Sequence, residues 1–196
     1  MAYDINSITE DCYENTTCLI NKLGITDENQ LAVIEADITF AKTSLLEEQP
    51  VNGKFDLEHY RDIHRILFGD LYDWAGNFRT INISKKGTSF TDVNDIEDAC
   101  NRCFMWIKSH NYFLGMNFDA FVENIVDLYC TLNMIHPFRE GNGRTERVFI
   151  SQLIRFNGYN IDFSEIDTDY LMIATIQSAQ GVTDNLINIF KGYIKK

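Results

Sequence analysis

Apolar residues recur every three or four positions along most of this sequence. That spacing places side chains on one face of an α-helix, so it predicts a mainly helical chain. The predicted inward-facing residues of the first four helices are Leu31, Ile34, Ile38, Ala41 and Leu45; Tyr60, Ile63, Ile66 and Leu67; Ile96, Cys100, Cys103, Phe104 and Ile107; and Phe118, Phe121, Val122, Ile125, Val126, Tyr129 and Leu132. Pro50 ends the first of these helices and Asp56 caps the second. Three more helices are predicted at about 143–156, 167–179 and 183–194.

One segment follows the two-residue period of a β-strand instead. Ile81 and Ile83 share a face in residues 80–84, Lys85-Lys86-Gly87-Thr88 has the composition of a turn, and residues 89–91 follow. This pattern predicts a short hairpin. The predicted fold class is therefore all-α with one β-hairpin flap. We expect a single domain over residues 1–196, with its core at about 30–195 and a helical extension at 1–25.

Composition limits the partners and the compartment of the protein. The formal net charge of −12, without any Lys/Arg-rich run, disfavours direct contact with nucleic acid or an anionic membrane. The five cysteines are odd in number and do not indicate a disulfide framework. No apolar stretch has the length of a membrane span or the form of a signal peptide. The expected setting is cytoplasmic, in the producing cell or in a cell to which signals outside this chain deliver it, and the oligomeric state is open.

The segment His-Pro-Phe-Arg-Glu-Gly-Asn-Gly-Arg-Thr-Glu-Arg, residues 136–147, combines residue types that suit phosphate chemistry. Pro137 disfavours helical backbone at His136, so His136 is expected to project from a helix end. Its ordinary pKa of ~6.5 suits a general base. The turn Gly141-Asn142-Gly143 leads directly into a helix, and backbone N–H groups at such a junction bind phosphate.

Charged side chains around that turn complete the predicted site. Arg144 and Arg147 are three residues apart and share a helix face, which suits a di- or triphosphate. A lone carboxylate beside phosphates, here Glu140, is a common ligand of Mg²⁺. Phe138 has no polar role and is expected to anchor the loop in the core. The set fits attack by a hydroxyl on a nucleotide phosphate.

These residues resemble the motif H-P-F-x-[D/E]-G-N-G-R-x-x-R of the Fic family at every fixed position. The resemblance extends from about Leu31 to the C-terminus, through Glu35-Ala36-Asp37-Ile38-Thr39, Ile63-His64, Asp73-Trp74-Ala75-Gly76 and Arg79. It implies a protein adenylyltransferase that moves AMP from ATP to a Tyr, Thr or Ser hydroxyl of a target protein and of itself. The intact Gly-Asn-Gly core differs from that of Doc-type kinases and phosphocholine transferases, which favours AMP transfer.

The resemblance also implies a role for each residue of the motif. His136 would be the base, Glu140 would bind Mg²⁺, and Gly141, Asn142 and Gly143 would hold the α-phosphate region. Arg144 would reach the β-phosphate and Arg147 the γ-phosphate. Lys85, Lys86, Gly87 and Thr88 of the hairpin would lie near the nucleotide, and the hairpin edge would align the target by strand addition. Tyr170, Leu171 and Ser178 would line the adenine pocket.

Regulation depends on a second pattern of the family, the inhibitory helix [S/T]-x-x-x-E-[G/N], whose Glu pairs with the second motif Arg. At the matching place this chain has Leu31-Ala32-Val33-Ile34-Glu35-Ala36, so the Glu is present but both flanking positions differ. Two interpretations follow. Either a small antitoxin protein supplies the missing helix to a toxin-like enzyme, or the enzyme is constitutively active.

The sequence also allows other interpretations of the function and of individual residues. The same scaffold could use UMP or GMP as the transferred group, or a non-catalytic Fic domain could serve as a partner platform. Cys100 and Cys103 fit core positions of a helix better than a zinc or redox pair. His59, His64 and His110 are interpreted as surface or packing residues without a catalytic role.

Overall fold

Seven α-helices and one small hairpin make up residues 10–85 and 87–196, the part of the chain that the computed structural model describes. The elements are α1 (Glu28–Glu48), α2 (Leu57–Phe68), β1 (Ser84–Lys85), β2 (Thr88–Ser89), α3 (Ile96–Ser109), α4 (Phe118–Ile135), α5 (Asn142–Phe156), α6 (Thr168–Ser178) and α7 (Asp184–Tyr193). Short 3₁₀ turns lie at Val93–Asp95, Asn111–Phe113 and Phe163–Glu165. The all-α fold with one hairpin is thereby confirmed.

Side-chain caps define where four of these helices begin. Asp27 accepts a hydrogen bond from the Gln30 N–H at 2.7 Å, and Asp56, the predicted cap, accepts from the His59 N–H at 3.0 Å. The side chains of Asn117 and Asp167 cap α4 and α6 in the same way. Each cap satisfies a backbone donor that the first helical turn leaves without a partner.

Helices α4 and α5 form the centre of the core. Helix α5 packs on α2 and α4, and α4 also packs on α3 and α7. Phe121, Val122 and Ile125 of α4 and Phe149 of α5 are at most 1% exposed. Burying one such side chain stabilises the fold by roughly 1.5–3 kcal/mol, so this pair of helices holds the segment between them, residues 136–141, in a fixed place. None of the helices described in 10–85 and 87–196 is both long and apolar enough to cross a bilayer.

The inner face of α1 differs from the predicted one. Of the five residues predicted to face inward, Leu31 is buried, Ile34 and Ile38 are half-buried, and Ala41 and Leu45 are exposed. The buried residues are instead Leu31, Glu35, Thr39 and Leu46. The physical reason is that Glu35 and Thr39 both bond to the side chain of Arg144. Polar contacts, not apolar spacing, therefore set the rotation of this helix.

The N-terminal segment also departs from prediction, because residues 10–25 are not helical. Cys12 and Leu19 form an isolated antiparallel bridge around a turn in which Asn15 has φ +60°. The Asn21 amide stabilises the chain beyond it by bonding to the carbonyls of Leu19 and Ile25. The rest of the predicted helical extension, residues 1–9, lies outside the described residues.

The hairpin is shorter than predicted. Ser84 pairs with Ser89 and Lys85 with Thr88, so Lys85 and Thr88, which were predicted as turn residues, belong to the strands. Below this ladder, the guanidinium of Arg79 donates hydrogen bonds to the carbonyls of Ile81 and Thr91. These carbonyls are thus bound by a side chain and not by an opposing strand, which ends the sheet early.

The φ of +79° at Gly141 generates a prediction about stability. A Cβ at Gly141 would lie 2.1 Å from Cζ of the buried Phe68, whereas a Cβ at Gly158, with φ +80°, would meet nothing within 4 Å. Gly158→Ala should cost about 1–2 kcal/mol for the left-handed backbone alone. Gly141→Ala should cost about 1–3 kcal/mol more because Phe68 must move. Urea unfolding of both variants checks this, and equal losses would contradict the packing argument.

Candidate active site

His136 occupies a strained position directly after α4. It caps that helix with left-handed backbone at φ 47° and ψ 60°, which is unfavourable for a residue with a Cβ. Its N–H still bonds to the Leu132 carbonyl at 3.0 Å, and its carbonyl accepts from Nε of Arg79 at 2.9 Å. Pro137 therefore ends the helix as predicted, and the buried Arg79 fixes the strained turn that follows.

The imidazole of His136 is oriented by two contacts. Nδ1 lies 3.0 Å from the Asn133 carbonyl, so Nδ1 carries the hydrogen and Nε2 the lone pair in the neutral ring. The ring stacks on Phe90, next to the hairpin, at 3.8 Å and 11°. Burial, together with the charges of Lys85 and Arg79, lowers the pKa of His136 to about 3. This differs from the ordinary value assumed from sequence, because His136 is only 6% exposed.

The loop between α4 and α5 is closed by the side chain of Asn142. Its Oδ1 accepts from the Phe138 N–H at 2.8 Å, and its Nδ2 donates to the Phe138 carbonyl at 2.7 Å. Phe138 itself is fully buried and stacks on His64 at 3.8 Å. The Asn142 amide thus holds the loop in shape, while the first N–H groups of α5 have no acceptor within the helix.

Arg144 is held from several sides. Nη2 lies 2.5 Å from Oε1 of Glu35 and 3.4 Å from Oε1 of Glu140, and Nη1 donates to Thr39 Oγ1 at 3.1 Å. The guanidinium also lies 4.8 Å from the centroid of the Phe68 ring. Arg147, one turn further along α5, has no hydrogen bond or ion pair to any of the residues described here and is half-buried.

A cavity of about 320 Å³ brings most of the predicted residues together. Its lining includes the predicted residues Lys85, Thr88, His136, Glu140, Gly141, Asn142, Gly143, Arg144, Arg147 and Leu171. Gly87 at the tip of the hairpin, Tyr170 and Ser178 do not line it, and Lys86 lies outside the described residues. Tyr170 is 44% exposed, and the Ser178 hydroxyl donates to the Thr175 carbonyl, so both are turned to other surroundings.

Several lining residues were missed from sequence. They are Phe90, Tyr129, Asn133, Glu146, Thr168, Met172, Thr175, Ile176 and Ala179. Those on α6 continue from Leu171 at helical spacing, and Tyr129 and Asn133 precede His136 by seven and three residues on the face of α4. That periodicity could have identified them. Glu146 is buried at 2% exposure, and desolvation raises the pKa of its carboxyl well above the usual range.

His64 is a second residue that sequence reasoning underestimated. Its Nε2 lies 3.0 Å from the Glu140 carbonyl, and its Nδ1 accepts from the Gly76 N–H at 2.8 Å. Nε2 must therefore carry the hydrogen of the neutral ring. Burial lowers the pKa of His64 to about 4, so this form persists at neutral pH. The ring ties the loop that carries Glu140 to the turn at Gly76.

Comparison with known proteins agrees with this geometry. The Fic/DOC family model matches residues 54–154, just over half of the chain, and the chain belongs to that family. It is 36% identical to "Protein adenylyltransferase VbhT" of Bartonella schoenbuchensis over 86% of its own length but only 35% of VbhT. It is also 36% identical to "Probable protein adenylyltransferase y4lH" of Sinorhizobium fredii, over 87% of this chain and 88% of y4lH.

Solved Fic structures share the fold along nearly the whole chain. BepC of Bartonella tribocorum with bound AMPPNP superposes with a TM-score of 0.89 at 27% identity, covering 94% of this chain and 95% of BepC. The N-terminal Fic domain of an effector from Bartonella quintana with bound ADP gives 0.88 at 28% identity, covering 94% of each chain. Both are described as VirB-translocated effector proteins.

Three buried histidines generate a prediction about pH. Burial lowers the pKa values of His59, His64 and His136, so each takes up a proton on unfolding below about pH 6.5. Stability should be fully present above that pH and fall as the pH drops, by up to about 1.4 kcal/mol per unit for each histidine. The raised pKa of Glu146 works in the opposite sense and offsets one of them.

Urea unfolding between pH 7.5 and 5 measures this net uptake, which should approach about two protons. Glu146→Gln removes the opposing group and should steepen the dependence by about one proton. A stability of Glu146→Gln that stays constant over this range would show that the histidines are not held neutral.

Proposed function

We propose that this protein is an adenylyltransferase that transfers AMP from ATP to a Tyr, Thr or Ser hydroxyl of a target protein and of itself. The observation that carries the proposal is one cavity with two kinds of lining. The imidazole of His136 lines it, and so does the first turn of α5 with Arg144 and Arg147. The names of the relatives and the nucleotides bound to the solved Fic domains support the same activity.

The reaction uses His136 as a general base. Nε2 takes the proton of the target hydroxyl, the hydroxyl oxygen forms a bond to the α-phosphorus, and the bond from that phosphorus to the bridging oxygen breaks to release pyrophosphate. A pKa of about 3 makes the imidazole by itself a weak base. The negative charges of bound ATP favour the imidazolium and raise that pKa toward a useful value. Substrate binding thus activates the base.

The phosphates are held at the start of α5. The unpaired N–H groups of the first turn and the positive end of the helix dipole bind the α-phosphate region. Arg144 takes the β-phosphate and Arg147 the γ-phosphate. Because no acceptor for Arg147 occurs among the described residues, its donors are available to an anion without first breaking an ion pair.

The carboxylate of Glu140 fits the Mg²⁺ that such a reaction uses. Its two contacts, with the Gly141 N–H at 2.9 Å and with Arg144, both involve Oε1, so Oε2 has no hydrogen-bond partner among the described residues. One protein carboxylate beside phosphates is the usual environment of Mg²⁺, whose other ligands are water and phosphate oxygens. The ion would neutralise charge on the phosphates during transfer. Within the described residues no cluster of three or more ligands offers another metal site.

We assign the remaining walls of the cavity to contacts with the nucleoside and with the target. Leu171, Met172 and Ile176 of α6 give the cavity an apolar side for a nucleobase. The hairpin contributes Lys85 and Thr88 to the cavity lining and has strand edges to which an extended target segment can add. We propose that the target is a protein with an exposed hydroxyl residue and that the enzyme meets it in a cytoplasm, its own or that of a recipient cell, as the effector relatives suggest.

Regulation is proposed to come from outside this chain. The pattern at 31–36 lacks both flanking residues of the inhibitory helix, and Glu35 pairs with Arg144 and not with Arg147. A separate small antitoxin protein that reaches Arg147 would block the γ-phosphate. The alternative is an enzyme without an inhibitor, and copurification from the native host distinguishes the two.

Label transfer from [α-³²P]ATP with Mg²⁺, with and without cell lysate, tests the proposed activity. His136→Ala should reduce labelling by about 10²–10⁴-fold because the general base is lost. The matched control is His110→Ala, an exposed histidine outside the cavity, which should label like the wild type. Mass spectrometry should show a gain of one AMP on the enzyme itself.

Three outcomes would change the proposal. Equal labelling by His136→Ala would exclude His136 as the base. Label from UTP or GTP in place of ATP would keep the mechanism and change the donor. Nucleotide binding without transfer of any label would indicate a binding platform.

A further inference from the structure

Two of the four buried residues of helix α1, Glu35 and Thr39, are polar. Glu35 and Thr39 are 7% and 2% exposed, while Val33 and Phe40 on the outer face are 63% and 73% exposed. Burying a carboxylate is unfavourable unless it is paired and hydrogen-bonded. The arrangement therefore needs a specific partner, and the structure provides one at the edge of the cavity.

The partner is Arg144, and the Glu35 carboxylate uses both oxygens. Oε1 lies 2.5 Å from Nη2 of Arg144, and Oε2 accepts a hydrogen bond from the hydroxyl of Tyr72. Thr39 accepts from the other Nη of Arg144 at 3.1 Å and donates its own hydroxyl hydrogen to the Glu35 carbonyl at 2.7 Å. Burial of the phenol and the neighbouring Glu35 carboxylate raise the pKa of Tyr72. The hydroxyl therefore keeps its hydrogen and donates it to Glu35.

This network restricts what Arg144 can do when a phosphate arrives. If Arg144 left Glu35, a buried carboxylate would remain with a hydroxyl as its main partner, which is strongly unfavourable. The guanidinium has five donors, and Thr39 and Glu35 occupy only part of them. Its remaining contact, 3.4 Å to Glu140, is with a residue of the cavity wall. Arg144 can therefore bind a phosphate while it stays bonded to Glu35.

We infer that Glu35 is a positioning residue for AMP transfer, which holds Arg144 ready for the phosphates and supports nucleotide binding. The inference rests on the proposed function of the site. Its physical basis is preorganisation: a long side chain that the fold has already immobilised loses less entropy when it binds a ligand. A carboxylate that excluded phosphate would be expected on Arg147, a cation of the cavity lining for which the described residues provide no partner.

The test compares binding of two ligands that differ only in their phosphates. Calorimetry with AMPPNP and Mg²⁺, and separately with adenosine, is run on wild type, Glu35→Ala and Glu35→Gln. Glu35→Ala should weaken AMPPNP binding by about tenfold or more and leave adenosine binding unchanged. Glu35→Gln should lie between, because its amide oxygen still accepts from Arg144. A merely structural role would weaken both ligands together.

Two further variants control for the helix and the network. Asp37→Ala changes an exposed acid two residues along α1 and should bind AMPPNP like the wild type. Tyr72→Phe removes the hydroxyl that bonds to Glu35 and should reduce AMPPNP binding less than Glu35→Ala does. Thermal unfolding of each variant identifies any that fails to fold, in which case Glu35→Gln carries the test.

Tighter AMPPNP binding or faster AMP transfer by Glu35→Ala would overturn the inference, because it would show that the carboxylate competes with phosphate. Equal loss of both ligands in a folded Glu35→Gln variant would overturn it as well. Failure of the proposed function is separate, since a wild type that binds AMPPNP but transfers no AMP still allows the comparison of the two ligands.

Discussion

The buried guanidinium of Arg79 is the interaction on which the site depends. It is 4% exposed and donates to the carbonyls of Ile81, Thr91 and His136, while its own backbone N–H bonds to Pro137 at 2.8 Å. Ile81 precedes the hairpin, Thr91 follows it, and His136 comes directly after α4. A single side chain thereby fixes the hairpin relative to His136, and its bonds offset the left-handed backbone of that residue.

Around that anchor, two side chains hold the loop before α5 through hydrogen bonds to backbone groups. Asn142 bridges the backbone of Phe138, and His64 bridges Gly76 to Glu140. Buried polar groups of this kind stabilise one conformation because each lost bond would leave a donor or acceptor without water. The loop residues that line the cavity are therefore held in place by Asn142, which lines the cavity itself, and by His64, which does not.

The sequence predicted the parts of this structure that depend on local order. Helix positions, the cap at Asp56 and the helix end at Pro137 follow from neighbours within a few residues, and eight of the residues at 136–147 line one cavity. The rotation of α1 was predicted wrongly because apolar spacing says nothing about a carboxylate that pairs with a residue 109 positions away. The role of His64 depends on a carbonyl 76 residues away, and the length of the hairpin depends on Arg79, so neither could be read from local pattern.

The stack of Phe90 on His136 has a consequence for the hydrolysis of ATP in the proposed reaction. Phe90 covers one face of the His136 imidazole, which is only 6% exposed, so water reaches the ring through the cavity that both residues line. In the proposed reaction, water competes with the target hydroxyl as nucleophile whenever ATP is bound without a target. By covering one face of the proposed base, Phe90 would reduce the number of water molecules around it and so limit hydrolysis of ATP before a target binds.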